Sequence, residues 1–279
     1  MIGEEMTRTE IADHVVTKLN NAKAELIAQW QASGRTVPHF VIDDVLPEEI
    51  ALKIRRAYPK GESMRTRSSL RELKHVAAQM DQYDPLLEEA LYAFQDSRIV
   101  KLVEDITGLN ALEPDELLYA GGISMMSKGH FLNPHLDNSH DKNREMYRVL
   151  NLLYYVSPGW KLENGGNLEL WPEGVKAQQI TVESRFNRLA VMITNRSSWH
   201  SVSPVLAEEL RCCVSNYYFS KRPAEDQEYF HITSFRGRPE QPVRDLALKA
   251  DAALRSMVRK IFPKGAVQTT QFYQKDKKD

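Results

Sequence analysis

From residue 8 to residue 33 apolar side chains recur at helical spacing, with Ile11, Val15, Leu19, Ala22, Leu26 and Trp30 on one stripe. Gly34 follows as a C-terminal stop. His39-Phe-Val-Ile-Asp43 reads as a short strand. Leu46-Pro-Glu-Glu-Ile50 opens a second helix, with Asp44 as its cap and Pro47 in its first turn, and Pro59-Lys-Gly61 ends it. Residues 62–75 are basic (Arg65, Arg67, Arg71, Lys74) and poor in apolar anchors. They read first as a solvated helix face and second as a loop gripping an anionic substrate. Helical period resumes over 85–106 through Leu86, Leu87, Leu91, Phe94, Ile99, Leu102 and Ile106, and Gly108 closes it.

From about residue 117 the period changes. Leu117–Met126 is a glycine-interrupted strand, 148–156 a strong one closed by the turn Ser157-Pro-Gly-Trp160, and 167–171, 188–194 and 211–219 follow. After Pro223 the strands stop: 231–239 is irregular, and 240–261 returns to helical period through Val243, Leu246, Leu248, Leu254, Met257 and Ile261. The tail from Gln268 reads as frayed. Helices followed by many short, regularly spaced strands predict an α+β protein with helices packed on an antiparallel jelly roll. No repeat or linker divides the chain, so it reads as one domain: a helical part over 1–116, a jelly-roll core over 117–221 and a helical extension over 222–279.

Composition narrows the functional classes. The formal net charge is -1, which argues against a general binder of nucleic acid or membrane surfaces. No apolar run is long enough to span a bilayer, and the polar N-terminus is unlike a signal peptide. The two cysteines, Cys212 and Cys213, are adjacent, so neither a disulfide framework nor a CxxC metal site is available. The chain reads as a reduced, cytoplasmic protein.

The chemistry concentrates at His135-Leu136-Asp137. Alternate side chains of a strand leave on the same face, so the imidazole and the carboxylate can reach one point. A lone HxD is a weak signal, and two ligands hold a metal poorly. After residue 140 only His200 and His231 remain, and His200 lies just beyond the strand 188–194. On its own it would be a structural histidine. With the HxD upstream it becomes the third ligand of a set of two histidines and one carboxylate that leaves other positions open, the arrangement suited to Fe(II) with a cosubstrate and oxygen. Arg211 opens a strand whose alternation places Arg211, Cys213, Ser215 and Tyr217 together. Either Arg211 points inward and captures a cosubstrate carboxylate, or it faces solvent and pairs with Glu208 or Glu209. His130 and His140 lie in polar loop sequence and read as surface residues. No G-x-S-x-G elbow and no glycine-rich phosphate loop is present.

With these residues in hand, segment 117–221 resembles the iron(II)- and 2-oxoglutarate-dependent dioxygenases, and is most similar to their prolyl-hydroxylase branch. The likeness runs through Gly129–Asn138, Arg148–Trp160, Gly165–Leu170, Asn187-Arg-Leu189, His200-Ser-Val202 and the Arg211 strand. It implies a double-stranded β-helix, His135, Asp137 and His200 as iron ligands, and Arg211 as partner of the distal 2-oxoglutarate carboxylate. Tyr155 matches a tyrosine that helps hold that carboxylate, and Asn151 a polar residue near the cosubstrate; alternation places both with Val149 and Leu153. Met125 stands where that branch carries a further cosubstrate-binding tyrosine. The implied cofactors are Fe(II) and 2-oxoglutarate, with ascorbate as a stimulant, and O2 is the co-reactant. Asp137 argues for hydroxylation over halogenation.

The leading expectation is hydroxylation of an unactivated C–H bond in an amino-acid-like small molecule or natural-product intermediate, releasing succinate and CO2. The alternatives are a peptidyl prolyl hydroxylase, a non-catalytic jelly-roll binding module, and a cupin-type enzyme that uses another metal without 2-oxoglutarate.

Overall fold

The N-terminal stripe forms helix α1 (Arg8–Ala32) in the computed structural model, burying Ile11, Val15, Leu19, Leu26 and Trp30. Thr7 and Glu10 close a capping box: Thr7 Oγ1 accepts from the Glu10 backbone and the Glu10 carboxylate from the Thr7 backbone, at 3.3 and 2.8 Å. The structure describes residues 6–225, 227–261 and 273. Strand β1 (His39–Ile42) leads to helix α2 (Glu48–Ala57). Asp44 does not cap α2: it sits at φ 53, and Pro47 occupies the cap position without a side-chain bond. The helical period over 85–106 divides into α3 (Pro85–Ala93) and α4 (Ser97–Thr107). Asp84 and Asp96 each accept the backbone N–H two residues on, both at 2.9 Å, so each carboxylate starts its own helix. Gly108, at φ 75, ends α4.

All described strand pairs are antiparallel. The remaining strands are β2 (Arg65–Ser68), β3 (Glu72–Ala77), β4 (Leu112–Pro114), β5 (Gly122–Met126), β6 (Phe131–Leu136), β7 (Tyr147–Tyr155), β8 (Leu168–Leu170), β9 (Ile180–Val182), β10 (Arg188–Ile193), β11 (His200–Val202), β12 (Arg211–Ser220) and β13 (Ser234–Phe235). They pair in the order β1-β10-β7-β12-β5-β3-β6-β11-β8-β9, with β2 on β3, β4 on β12 and β13 on β6. The sheet curls into the jelly roll expected from the sequence. Helices α1, α3 and α4 pack together on its outer side.

One expected boundary is corrected. Residues 1–116 are not simply helical, because β1 to β4 lie within them and β3 joins β5 to β6. The basic stretch 62–75 is a hairpin, not a helix face: Arg65 stands opposite Val76 and Arg67 opposite Lys74. Strands normally announce themselves by apolar alternation. This hairpin turns a polar face to an open cavity, so that signal is absent.

The C-terminal helix α5 (Pro242–Ile261) also departs from expectation. Its periodic apolar residues Val243, Leu246, Leu254 and Met257 are exposed, and of that set Leu248 is buried. The face turned to the protein carries charge, with Asp251 between Arg71 and Arg255. The tail read as frayed lies outside the described residues except Tyr273, which is buried and donates to Glu88 Oε2 at 2.9 Å.

Two further contacts fix the barrel around its interior. Asn187, at φ 61, accepts from the Leu46 backbone at 3.0 Å and from Tyr154 Oη at 2.8 Å, pinning the N-terminal segment to β7 and β10. Gly165 and Gly166 have φ 68 and 63, and a Cβ on Gly165 would lie 2.1 Å from the Pro204 carbonyl. Only glycine lets this turn approach so closely, and the approach presents the Gly166 carbonyl to Arg211.

Candidate active site

His135 is the penultimate residue of β6 and His200 begins β11, and the antiparallel register sets them directly opposite each other, ring centroids 4.1 Å apart. Asp137 follows one residue beyond β6. Its Oδ1 lies 3.8 Å from His135 Nε2, and its Oδ2 3.8 Å from His200 Nε2. A ligand atom from each residue falls within 4.8 Å of the others. Sequence alone put His200 only beyond a strand; the ladder puts it across from the first histidine.

Each imidazole is oriented by a backbone carbonyl two residues before it. His135 Nδ1 bonds the Asn133 oxygen at 3.0 Å, and His200 Nδ1 the Ser198 oxygen at 2.9 Å. Carbonyls only accept, so both Nδ1 atoms carry the proton and both Nε2 lone pairs face Asp137. Burial, with His200 alongside, pushes His135 down to about 3, and burial likewise lowers His200. The histidines are therefore neutral near pH 7, as metal ligation requires. Burial works against the Asp137 carboxylate, yet Arg148 and the two histidines hold it well below the usual range.

The donor set fits a metal ion on an observation of its own. Asp137 Oδ2 is buried and, among the described residues, has no hydrogen-bond partner. A buried carboxylate oxygen left this way is costly, and a cation between the three side chains satisfies it together with both Nε2 atoms. Behind β11, Ser201 accepts from Trp171 Nε1 at 2.8 Å and donates to Glu169 at 2.6 Å, while Arg238 meets Glu169 at 2.7 Å. This network fixes the strand that carries His200.

The triad lines a cavity of about 520 Å3 shared with Arg211, Asn151, Arg148 and Tyr217. Arg211 is 3 % exposed. Its Nε donates to the Gly166 carbonyl at 2.9 Å, and its guanidinium lies 4.9 Å from the Tyr155 ring centre. Among the described residues no carboxylate pairs with it, and Glu208 pairs instead with Lys128. The Arg211 side chain therefore turns into the cavity and not to solvent. Asn151 also reaches the cavity, and its Oδ1 is buried without a partner among the described residues. Tyr155 supports the Arg211 guanidinium and is not among the residues lining the cavity. Met125 is buried opposite His75, and its neighbour Met126 lines the cavity.

Arg148 is the functional residue that simple alternation misses. Register between β12 and β7 pairs Tyr218 with Leu150 and then Phe219 with Arg148, so Val149 is the extra residue of a β-bulge. The bulge turns Arg148 onto the face that alternation assigns to Val149. There its Nη1 lies 3.3 Å from Asp137 Oδ1 and its guanidinium 4.6 Å from the Tyr217 ring centre. Likewise β13, within a stretch that reads as irregular, pairs with β6 and stacks Phe235 on His135, centroids 5.1 Å apart.

Residues 121–219, which contain all of these ligand candidates, match the 2OG-Fe(II) oxygenase superfamily. The match spans 99 of the 279 residues. The chain is also 29% identical over 104 residues to Egl nine homolog 1 of Rattus norvegicus, and equally to that of Homo sapiens. The alignment covers 37% of this chain and 29% of the rat protein, so the chain matches under a third of that relative's length. Among solved structures, the oxygenase fold resembles a Trichoplax adhaerens prolyl hydroxylase in complex with a hypoxia inducible factor peptide fragment, at TM-score 0.52 and 17% identity, covering 77% of this chain and 96% of that one. It also resembles a Phytophthora capsici prolyl 4-hydroxylase, at TM-score 0.55 and 16% identity, covering 93% and 81%. Oxygenases of this superfamily use iron and 2-oxoglutarate, as the name states. No described helix is long and apolar enough to cross a membrane.

Proposed function

We propose that the protein is an Fe(II)/2-oxoglutarate-dependent dioxygenase that hydroxylates an unactivated C–H bond of an amino-acid-like small molecule or natural-product intermediate. The observation that carries this reading is Arg211: a buried guanidinium without a carboxylate partner among the described residues, in the same cavity as the His135, Asp137 and His200 donors. An unpaired buried charge is costly, and the distal carboxylate of 2-oxoglutarate is the partner that would offset it.

His135, Asp137 and His200 would hold the iron. Bound there, iron(II) supplies with 2-oxoglutarate and O2 the oxidising power that yields succinate and CO2 and places an oxygen atom in the substrate C–H bond. The chain does the rest. Arg211, braced by Tyr155 and the Gly166 carbonyl, orients the cosubstrate. Asn151 offers an amide to it. Arg148 holds Asp137 ionised and in place, and Tyr217 and Phe235 wall the reacting volume from bulk water. Formation of succinate in a screen of free amino acids, peptides and metabolites tests the reading; no succinate above a metal-free control with any of them would contradict it.

A second reading, peptidyl prolyl hydroxylation, is favoured by the fold shared with prolyl hydroxylases. Proline-containing peptides in the same screen separate the two.

A further inference from the structure

We propose that the substrate carries an anionic group, a carboxylate or a phosphate, and that the basic face of the β2–β3 hairpin receives it at the cavity mouth. This rests on the dioxygenase reading above and narrows its substrate class. In the hairpin register Arg65 faces Val76 and Arg67 faces Lys74, so these side chains share one face, and all of them line the cavity. Thr66 and His75 take the opposite face, where Thr66 Oγ1 and His75 Nδ1 lie 3.0 Å apart. Strand β3 also pairs with β5 and β6, which holds the basic face over the metal-ligand candidates.

The charge balance at the mouth is one-sided. Glu72 lies 3.0 Å from Lys74 and 3.7 Å from Arg67. Asp251 pairs with both Arg71, in the turn of the hairpin, and Arg255 of α5, and both arginines line the cavity. Arg65 adds a further cation. Among the described residues, Glu72 and Asp251 are the carboxylates set against Arg65, Arg67, Lys74, Arg71 and Arg255. Deeper in, the Asp137 charge is met by Arg148, and Arg211 is reserved for the cosubstrate. A cleft lined mainly by one sign of charge concentrates ligands of the other, and guanidinium forks suit carboxylate and phosphate oxygens alike. A cavity of about 520 Å3 is of the size that encloses a small molecule, so the occupant is a small acid, not an acidic protein segment.

The test is calorimetric titration of the iron- and 2-oxoglutarate-loaded protein under argon. The probes are tricarballylate, inorganic pyrophosphate, the neutral triamide of tricarballylate, and a glutamate-rich heptapeptide. Tricarballylate or pyrophosphate is expected to bind about tenfold or more tighter than the triamide, the better of the two naming the carboxylate or the phosphate source. The exposed Arg65→Glu/Arg67→Glu double variant is expected to lose about that margin, and Arg65→Gln/Arg67→Gln an intermediate part of it, with 2-oxoglutarate affinity unchanged. Equal binding of charged and neutral probes, unchanged binding in the double variants, or binding of the heptapeptide alone would overturn the proposal. Failure of the wild type to bind 2-oxoglutarate is read in a separate titration and would count against the dioxygenase reading instead.

Discussion

Arg148 Nη1 lies 3.3 Å from Asp137 Oδ1, both side chains nearly shut off from solvent. The pair exists because the bulge at Val149 re-aims one strand position, and it leaves the other carboxylate oxygen of Asp137 without a hydrogen-bond partner among the described residues. Arg148→Ala removes the counter-charge and the orienting contact while leaving all three ligands. The metal dissociation constant is expected to rise by about 10- to 100-fold, read by competition with a chelating dye. Arg148→Lys is expected to recover part of the loss, since it restores charge without the planar fork.

Arg211 separates binding from stability. Arg211→Met should weaken 2-oxoglutarate by about 10- to 100-fold, the loss of a charge-assisted contact. The same substitution removes a buried cation that has no carboxylate partner among the described residues. Without cosubstrate the thermal midpoint of the variant is therefore expected to equal or exceed that of the wild type. A drop in stability matching the drop in affinity would show the guanidinium to be structural.

The buried histidines make the metal-free protein acid-sensitive. His135 is held at about 3 when folded and returns to about 6.5 when unfolded. Between those values the unfolded chain binds a proton that the folded chain refuses, so stability is complete above about pH 6.5 and falls as pH is lowered through this window. The expected slope is about 1.4 kcal/mol per pH unit for that proton, with His200 adding in the same direction. Denaturant midpoints of metal-free protein between pH 7 and pH 4.5 measure it. His135→Gln is expected to flatten the profile.

Asn187 is a structural counterpart. It is 2 % exposed and serves Leu46 and Tyr154 from a left-handed backbone. Asn187→Ala leaves buried groups unpaired and adds backbone strain, so unfolding is expected to cost about 3 kcal/mol less. Urea titration checks this, and the metal-ligand geometry should be intact in the protein that remains folded.

The central strands and the His135, Asp137 and His200 set were legible because ligand chemistry and apolar strand runs both leave local marks. Arg211 was legible as a strand-opening arginine with two possible directions, and only burial resolves them. Arg148 was not legible, since a bulge is set by register between β7 and β12 and not by the composition of either strand. The β2–β3 hairpin was hidden for a related reason: strands facing a wet cavity carry Arg, Lys and Glu where pattern reading looks for apolar residues. The single period over 85–106 concealed a break because α3 ends at Ala93 and Asp96 caps α4 without disturbing the apolar spacing.

His135, Asp137 and His200 are expected to hold iron(II) beside a 2-oxoglutarate anchored by Arg211. Anaerobic addition of Fe(II) and 2-oxoglutarate tests this most directly, because chelation of the keto acid by iron gives a visible charge-transfer absorption. The band is expected in the wild type and absent in His200→Ala. No band in the wild type, or an undiminished band in His200→Ala, would contradict the account.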